Sequence, residues 1–124
     1  MARSKKFDDT FAYHDRVPSH TRDSIYTYLV NGWEPGGFLT AVLLNDLYAA
    51  TSRADSENVK NLASIAKYVY QTLPPICYGT KENINAWCKM DDDARRDILV
   101  QARLVESVFE ILSTVAYAKP EPNF

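Results

Sequence analysis

The fold is decided by residues 35–52, which read PGGFLTAVLLNDLYAATS. After the Pro-Gly-Gly opening, a helix from Phe38 to Ser52 would carry apolar residues on almost every side. Such a helix is buried on every side, and a small domain has few elements of its own to cover it. We therefore expect part of this helix to contact another subunit. Asn45 and Asp46 in its middle then need polar partners, because burying a polar group without one is unfavourable.

Four further helical patterns flank this stretch, at residues 19–31, 56–73, 80–87 and 92–118. The first ends at Gly32, because glycine readily adopts the left-handed conformation that terminates a helix. No segment alternates convincingly between apolar and polar residues with the period of a strand. The sequence therefore predicts an all-α fold, a small helical domain of about four to five helices that assembles into a homo-oligomer.

The predicted organisation has four parts. Residues 1–18 form an N-terminal arm, residues 19–90 the helical core, residues 91–118 a long C-terminal helix and residues 119–124 a short tail. The arm mixes charged and aromatic residues without a sustained period. The final helix repeats apolar residues at intervals of seven, so we expect it to pack on the core or to pair with a copy of itself.

The composition argues against several classes of protein. The 124 residues are 46% hydrophobic, with 14 basic and 16 acidic side chains and a formal net charge of −2. That balance disfavours binding to a DNA or RNA polymer, which requires a basic face. The apolar stretch is too short for a membrane span of about 20 residues. Cys77 and Cys88 are too few for a disulfide scaffold, and we expect both to be reduced thiols in a cytoplasm.

Catalysis has no positive support in the sequence. The two histidines, His14 and His20, lie in the arm and at a helix start, where solvated or capping roles are more common. The run Asp91-Asp92-Asp93 favours the start of a helix over a metal site, because acidic side chains stabilise the positive end of the helix dipole. No Walker A, GxSxG, HExxH or GxGxxG motif occurs. We therefore predict a protein that is not an enzyme and needs no metal or cofactor.

Two predicted helix starts could bind an anion. Gly36-Gly37 and Gly79-Thr80 combine small residues with the exposed backbone N–H groups of a helix N-terminus, which attracts negative charge. Arg53 and Lys67 could add a positive charge near a phosphate. Ordinary turn chemistry explains either glycine motif by itself, and an isolated basic residue is usually only solvated.

Aromatic residues could bind a nucleobase by stacking, although most aromatic side chains belong to a core or an interface. Tyr26 and Tyr28 are two positions apart on a predicted helix, so they cannot both face the core. One of them, with Tyr26 as the better candidate, should be available at the surface or at a subunit contact. Tyr78 precedes the second glycine motif and is a further candidate.

Several strings stand out between residues 18 and 90: Pro18-Ser19-His20-Thr21-Arg22, Gly32, Pro35-Gly36-Gly37-Phe38-Leu39-Thr40-Ala41-Val42-Leu43, Asn45-Asp46-Leu47, Arg53-Ala54-Asp55, Tyr68-Val69-Tyr70 and Cys77-Tyr78-Gly79-Thr80. Together they resemble a family of small bacteriophage proteins, the phage anti-CBASS cyclic-oligonucleotide sponges. In that family the last string usually reads Cys-Trp-Gly-Ser. Tyr78 and Thr80 keep an aromatic ring and a hydroxyl, but the change leaves the ligand open.

The resemblance implies a non-enzymatic phage protein that acts in the cytoplasm of its bacterial host. Such a protein sequesters cyclic dinucleotides or cyclic trinucleotides, which are second messengers of bacterial anti-phage defence, so that the downstream effector is not activated. The family is helical and hexameric, with separate pockets for the two ligand classes between protomers. The resemblance also implies that Gly79 and Thr80 contact phosphate, with Arg53 as a further partner.

A second class of function stays open from the sequence. The apolar stripe of the final helix and the aromatic residues of the arm would also suit a small phage helical module that binds and blocks a host protein. A sponge needs no host protein partner, so capture of a host protein distinguishes the two hypotheses.

Overall fold

The computed structural model describes residues 16–102, and these residues form an all-α fold without a strand. The prediction of an all-α domain is confirmed, although the helices are shorter and more numerous than expected. The arm up to residue 15, the predicted final helix beyond residue 102 and the tail lie outside the described residues. The seven α-helices of the described chain are α1 (Ser19–Asn31), α2 (Gly37–Leu43), α3 (Leu47–Arg53), α4 (Ser56–Lys60), α5 (Leu62–Thr72), α6 (Lys81–Lys89) and α7 (Asp92–Gln101).

Helix α1 lies at the centre of the domain. It contacts α2, α6 and α7, and Ile25, Tyr26, Tyr28, Leu29 and Val30 are all buried. The exposed face of α1 carries His20, Asp23 and Ser24, whereas Tyr26 and Tyr28 both lie on the buried remainder of the helix. The prediction that either Tyr26 or Tyr28 would be available at the surface is therefore wrong for the described chain.

The stretch from Phe38 to Ser52 forms two helices, where the sequence predicts one. Asn45 adopts a left-handed φ of 60°, a conformation that asparagine tolerates better than most residues. The N–H of Asp46 donates to the carbonyl of Ala41 at 2.9 Å. The Asp46 carboxylate then caps α3 by accepting the N–H of Ala49 at 3.1 Å. Both polar residues are exposed and form a turn, so they are not buried inside a helix.

The turn changes which apolar residues are covered. Leu47 is 63% exposed and Tyr48 is 88% exposed, so α3 is not buried on every side as the sequence predicts. The expectation of complete burial treats the stretch as one straight helix, whereas α2 and α3 pack against each other across the turn. That another subunit covers Leu47 and Tyr48 stays a prediction.

The pattern over residues 56–73 is also divided. Asn61, with φ −116° and ψ 19°, separates α4 from α5. The break changes the face that packs inward: α5 buries Ile65, Tyr68 and Val69, while Ala66 on the predicted apolar stripe is exposed. The exposed side of α5 borders a groove.

Trp87 connects α6 to the central helix. Its indole is buried, and Nε1 donates to the carbonyls of Tyr28 at 3.1 Å and Leu29 at 3.2 Å. The hydroxyl of Tyr28 in turn donates to the carbonyl of Cys77 at 2.7 Å, which ties α1 to the 3-10 turn at Pro75–Cys77. Cys77 and Cys88 are both free thiols, as the sequence predicts.

Arg95, on α7, donates hydrogen bonds to the carbonyls at the ends of two other helices. Its side chain is only 3% exposed. Nε donates to the carbonyl of Val30 at 3.3 Å and Nη2 to that of Asn31 at 3.2 Å, both at the end of α1. Nη1 donates to the carbonyls of Trp87, at 3.2 Å, and Met90 at the end of α6. The last carbonyls of a helix have no partner within it, so a buried arginine supplies the donors.

None of the helices within residues 16–102 has both the length and the apolar character needed to cross a bilayer.

Candidate functional site

An open groove of about 670 Å³ lies between the α2–α3 turn, the exposed side of α5 and the segment that follows the 3-10 turn. We call it the α5 groove. Its volume lies within the range of about 300–1,000 Å³ that is usual for small-molecule sites. Apolar side chains form much of the wall, and polar groups stand among them. The lining includes Val42, Asn45, Lys67, Tyr70, Gln71 and Tyr78.

Three residues predicted for the site come together in the groove: Lys67, Tyr78 and Gly79. Lys67 lies on the exposed side of α5 and is the one charged residue in the described lining. The hydroxyl of Tyr78 donates to the carbonyl of Tyr70 at 3.4 Å. Burial raises the pKa of Tyr78, so its hydroxyl stays protonated at neutral pH. The groove therefore offers a positive charge beside a neutral phenol.

Gly79 has a structural role that the surrounding sequence does not indicate. Its φ of 104° lies in the left-handed region that favours glycine. Its N–H donates to the carbonyl of Leu43 at 2.8 Å, which fixes the end of α2 against the segment that leads to α6. This bond already uses the backbone donor of Gly79, so its N–H shapes the groove, and a phosphate contact at Gly79 stays a prediction.

Thr80 caps α6, as the sequence predicts. Its Oγ1 accepts the N–H of Asn83 at 3.1 Å, and the Asn83 amide donates to the carbonyl of Tyr78 at 2.9 Å. The Thr80 hydroxyl keeps its own O–H donor, because an acceptor role leaves that proton unused. Glu82 lies in the first turn of α6 and adds a negative charge to the same helix end. This helix start is thus less suited to an anion than its glycine and threonine alone indicate.

The other predicted residues, Gly36, Gly37 and Arg53, form a separate group outside the α5 groove. Nη1 of Arg53 donates to the carbonyl of Gly37 at 3.4 Å, and its Cδ lies 3.5 Å from where a Cβ on Gly37 would be. Gly36 is exposed with open space around it. Arginine and glycines therefore meet at the start of α2, but none of them lines the groove.

Tyr26 and Tyr28 cannot stack on a ligand in this structure, because both are buried in the core. The exposed aromatic ring in the groove is instead Tyr70, which is 74% exposed. The sequence carries a signal for this: once Tyr68 and Val69 face the core, residue 70 on α5 points to the opposite side. The regular apolar stripe predicted over residues 56–73 places the inward face of this helix differently, so it does not single out Tyr70.

A smaller cavity of about 60 Å³ continues from the groove toward α3. It shares Val42, Asn45 and Ala66 with the groove and adds the exposed Leu47. Asn45 therefore stands where the two cavities meet. Apolar side chains therefore continue beyond the groove toward α3.

A third hollow, of about 260 Å³, lies between the start of α2 and the start of α6. Glu34 and Lys81 both line it, so it combines a carboxylate with an ammonium group. Thr40 uses its hydroxyl to donate to the carbonyl of Pro35 at 3.2 Å. Because its charges are balanced, this hollow is less suited to an anionic ligand than the α5 groove, whose described lining contains a lysine and no acidic residue.

Comparison with protein-family models, with curated proteins and with solved structures finds no match to the chain.

Proposed function

We propose that the protein is a phage-encoded sponge that binds cyclic di- or trinucleotides of bacterial anti-phage defence and sequesters them without cleaving them. It would act in the cytoplasm of the bacterial host. The observation that carries the proposal is the α5 groove, in which the predicted residues Lys67 and Tyr78 lie together with the exposed ring of Tyr70. The resemblance of the sequence strings supplies the ligand class.

The chemistry of the groove suits a cyclic phosphodiester. The Lys67 ammonium can contact a phosphate oxygen, and a hydrogen bond that involves a charged group is stronger than a neutral one. The Tyr70 ring offers a face to a base, and such stacking contributes about 1–3 kcal/mol for each base. The apolar wall then excludes water from the ligand, which strengthens the polar contacts.

The groups in the groove favour binding over turnover. The raised pKa of Tyr78 keeps its phenol protonated, so it donates a hydrogen bond and does not act as a base at neutral pH. The amide groups of Asn45 and Gln71 do not titrate. A protein that acts by sequestration must be present at or above the concentration of its ligand, with a Kd well below it.

The proposed active form is a homo-oligomer, with six subunits as in the family that the sequence resembles. The exposed Leu47 and Tyr48 beside the groove support a subunit contact, because contiguous exposed apolar side chains commonly mark an interaction surface. In such an assembly a second subunit would close the open side of the groove over the ligand.

Depletion followed by recovery tests the proposal. The full chain is incubated with a panel of cyclic dinucleotides and cyclic tri-adenylate, and the free nucleotide is measured before and after the protein is denatured. We expect depletion first and full recovery of intact nucleotide afterwards. A linear product would show an enzyme, and no depletion of any nucleotide would overturn the proposal. Native mass spectrometry gives the number of subunits and of ligands per assembly.

A second function is favoured by apolar residues outside the groove. Val59 and Ile76 are large apolar side chains with partial exposure, and neither lines the α5 groove. They would suit a module that binds and blocks a host protein. Pull-down from host lysate tests this alternative, and its partner should not compete with cyclic nucleotides, because Val59 and Ile76 lie outside the groove.

A further inference from the structure

The burial pattern of α7 shows which side of this helix faces its own domain. Arg95 and Leu99 lie one turn apart on the helix, and they are only 3% and 1% exposed. On the opposite side Asp93, Asp97 and Gln101 are all exposed. Since α7 packs on α1, the side with Arg95 and Leu99 is its inward face and the side with Asp97 is its outward face.

No signal in the sequence ends the helix at its last described turn. The N–H of Ala102 donates to the carbonyl of Ile98, four residues earlier, at 2.9 Å, which is the hydrogen bond of an α-helix. Neither glycine nor proline, the residues that most often stop a helix, occurs between Met90 and Pro120. Residues 103–118 lie beyond the described part of the chain, and the sequence predicts that the same helix continues through them.

The apolar side of that continuation follows the outward face of α7. Residues that succeed one another at intervals of three and four share one face of an α-helix. Asp97 and Gln101 begin such a series on the outward face. Its next members are all apolar, and we call them the C-terminal stripe: Leu104, Val108, Ile111 and Val115.

The inward face becomes polar over the same residues. The spacing that starts at the buried Leu99 continues to Glu106, Glu110 and Ser113. Arg103, the other charged residue of the segment from 103 to 118, lies on this polar side as well. A straight helix therefore turns its charged side toward the domain on which α7 packs. Because the C-terminal stripe points away from that domain, the domain cannot cover it.

We propose that the C-terminal stripe packs against the same stripe of a second copy of the chain, so that the final helices join subunits in a bundle. The sequence pattern by itself leaves packing on the core open, and the orientation of α7 decides against it. Val105 and Leu112 border the stripe and make it broader than the seam of a two-stranded coiled coil, which suits a bundle of several helices.

Charge also favours a second copy as the partner. The residues that border the stripe on its other side are Ser107 and Thr114, so neither the stripe nor its borders carry a charge. Identical stripes can therefore meet without the repulsion between like charges that disfavours many self-contacts. This contact is separate from the one proposed for Leu47 and Tyr48 on α3, and it does not depend on the ligand.

The test compares variants of the full chain by sedimentation velocity at equal concentration. Ile111→Asp places a carboxylate in the stripe and should lower the mass of the assembly at least about twofold, because burying an unpaired charge is unfavourable. Ser113→Asp is the matched control, since it adds the same charge on the polar side, and its mass should equal that of the unmodified chain. Ile111→Ala adds no charge and should raise the dissociation constant of the assembly about tenfold or more. Near-ultraviolet circular dichroism of the buried Trp87 checks the fold of each variant.

Three outcomes would overturn the inference. The first is an Ile111→Asp or Ile111→Ala chain that assembles like the unmodified one, although a homo-oligomer held by another contact would then stand. The second is an equal loss of mass in Ile111→Asp and Ser113→Asp, which indicates a general charge effect. The third is a lower urea midpoint for Ile111→Ala at a dilution where both chains are monomers, which shows that the stripe packs on its own domain.

Failure of the proposed function is visible separately. A chain that assembles as expected but depletes no cyclic nucleotide keeps this inference and loses the sponge. A chain that is monomeric at every concentration loses this inference and the proposed homo-oligomer, whereas nucleotide depletion still decides the question of sequestration.

Discussion

Gly32 lies directly against the guanidinium of Arg95: a Cβ added to Gly32 would be 2.6 Å from Cζ of the arginine. Gly32 also ends α1, with a left-handed φ of 67° and an N–H that donates to the carbonyl of Tyr28 at 3.0 Å. One glycine therefore meets two separate requirements. It supplies the conformation that terminates the helix, and it leaves the space through which Arg95 reaches the terminal carbonyls.

Replacing Gly32 with alanine should destabilise the fold by about 2 kcal/mol or more. The left-handed conformation alone disfavours a Cβ by about 1–2 kcal/mol, and the buried arginine cannot move away without losing hydrogen bonds. Unfolding in urea measures the free energy of unfolding of each variant. Gly36→Ala is the matched control, because Gly36 has a negative φ and open space where a Cβ would lie. Its free energy of unfolding should differ from that of the unmodified chain by no more than about 1 kcal/mol. Equal losses in the two variants would contradict the structure.

The variant Arg95→Met should lose about 3 kcal/mol or more of stability, because the carbonyls that end α1 and α6 would lose their buried donors. The near-ultraviolet signal of the neighbouring Trp87 should weaken as well. Arg96→Met is the comparison, since Arg96 is the next residue and pairs with Asp93 on its own helix. That pair should contribute less than about 1 kcal/mol. The prediction fails if thermal unfolding ranks the two variants in the opposite order.

Thr80 should contribute to stability as a helix cap. Thr80→Ala removes the acceptor of the Asn83 N–H and should cost about 1 kcal/mol, whereas Thr80→Ser keeps a hydroxyl and should cost much less. Chemical denaturation distinguishes the two. A serine variant as unstable as the alanine variant would show that the threonine methyl group, and not the cap, stabilises this turn.

Lys67 should control affinity without controlling the fold. Lys67→Gln removes the charge from the groove and should weaken the binding of cyclic di-AMP about tenfold or more, because a contact to a charged group is lost. Raising the salt concentration should weaken binding of cyclic di-AMP to the unmodified chain more than binding to the variant. Lys60→Gln, on the exposed surface of α4 and outside the groove, is the control. An equal loss in both lysine variants would indicate a general charge effect and not a site.

Asp55 should make the unfolding free energy depend on pH in the acidic range. The N–H of Asn58 lowers the pKa of this carboxyl from 3.8, and the ring of His20, at 2.9 Å, lowers it further. A carboxyl with a lowered folded pKa stabilises the fold above its unfolded pKa, and that contribution is lost as pH falls through the folded value. Asp55→Asn keeps a capping oxygen but does not titrate. The unfolding free energy of Asp55→Asn should therefore fall less than that of the unmodified chain between about pH 5 and pH 2. An identical fall in both would show that Asp55 does not make stability depend on pH.

Local signals in the sequence predict much of the helical framework. Gly32 is recognisable as the end of α1 and Thr80 as the start of α6, because each acts through its own backbone or nearest neighbours. The break at Asn45 is not predictable in this way, because a polar pair within an apolar stretch also fits a buried site in a longer helix. The hydrogen bonds that decide between these alternatives, such as Asp46 to Ala41, form only when the turn closes.

The candidate site is less predictable, because its residues meet through tertiary packing. Lys67 and Tyr78 are candidates for their chemistry, but nothing in their spacing shows that they share one groove. The sequence does not reveal that the Gly79 N–H is already hydrogen-bonded, because its acceptor, the Leu43 carbonyl, is far away along the chain. Nothing local singles out Arg95, since one arginine in a polar helix normally lies at the surface.

The contacts of Arg95 also affect the order in which the protein can fold during synthesis. They connect positions 65 and 64 residues apart, so the end of α1 leaves the ribosome long before the arginine that completes it. At about 5–20 residues per second, the interval is on the order of several seconds. Throughout that time the nascent chain carries its central helix, with its buried apolar residues, without its last partner. A ribosome-bound chain that stops short of residue 95 therefore lacks the buried donor to the carbonyls that end α1.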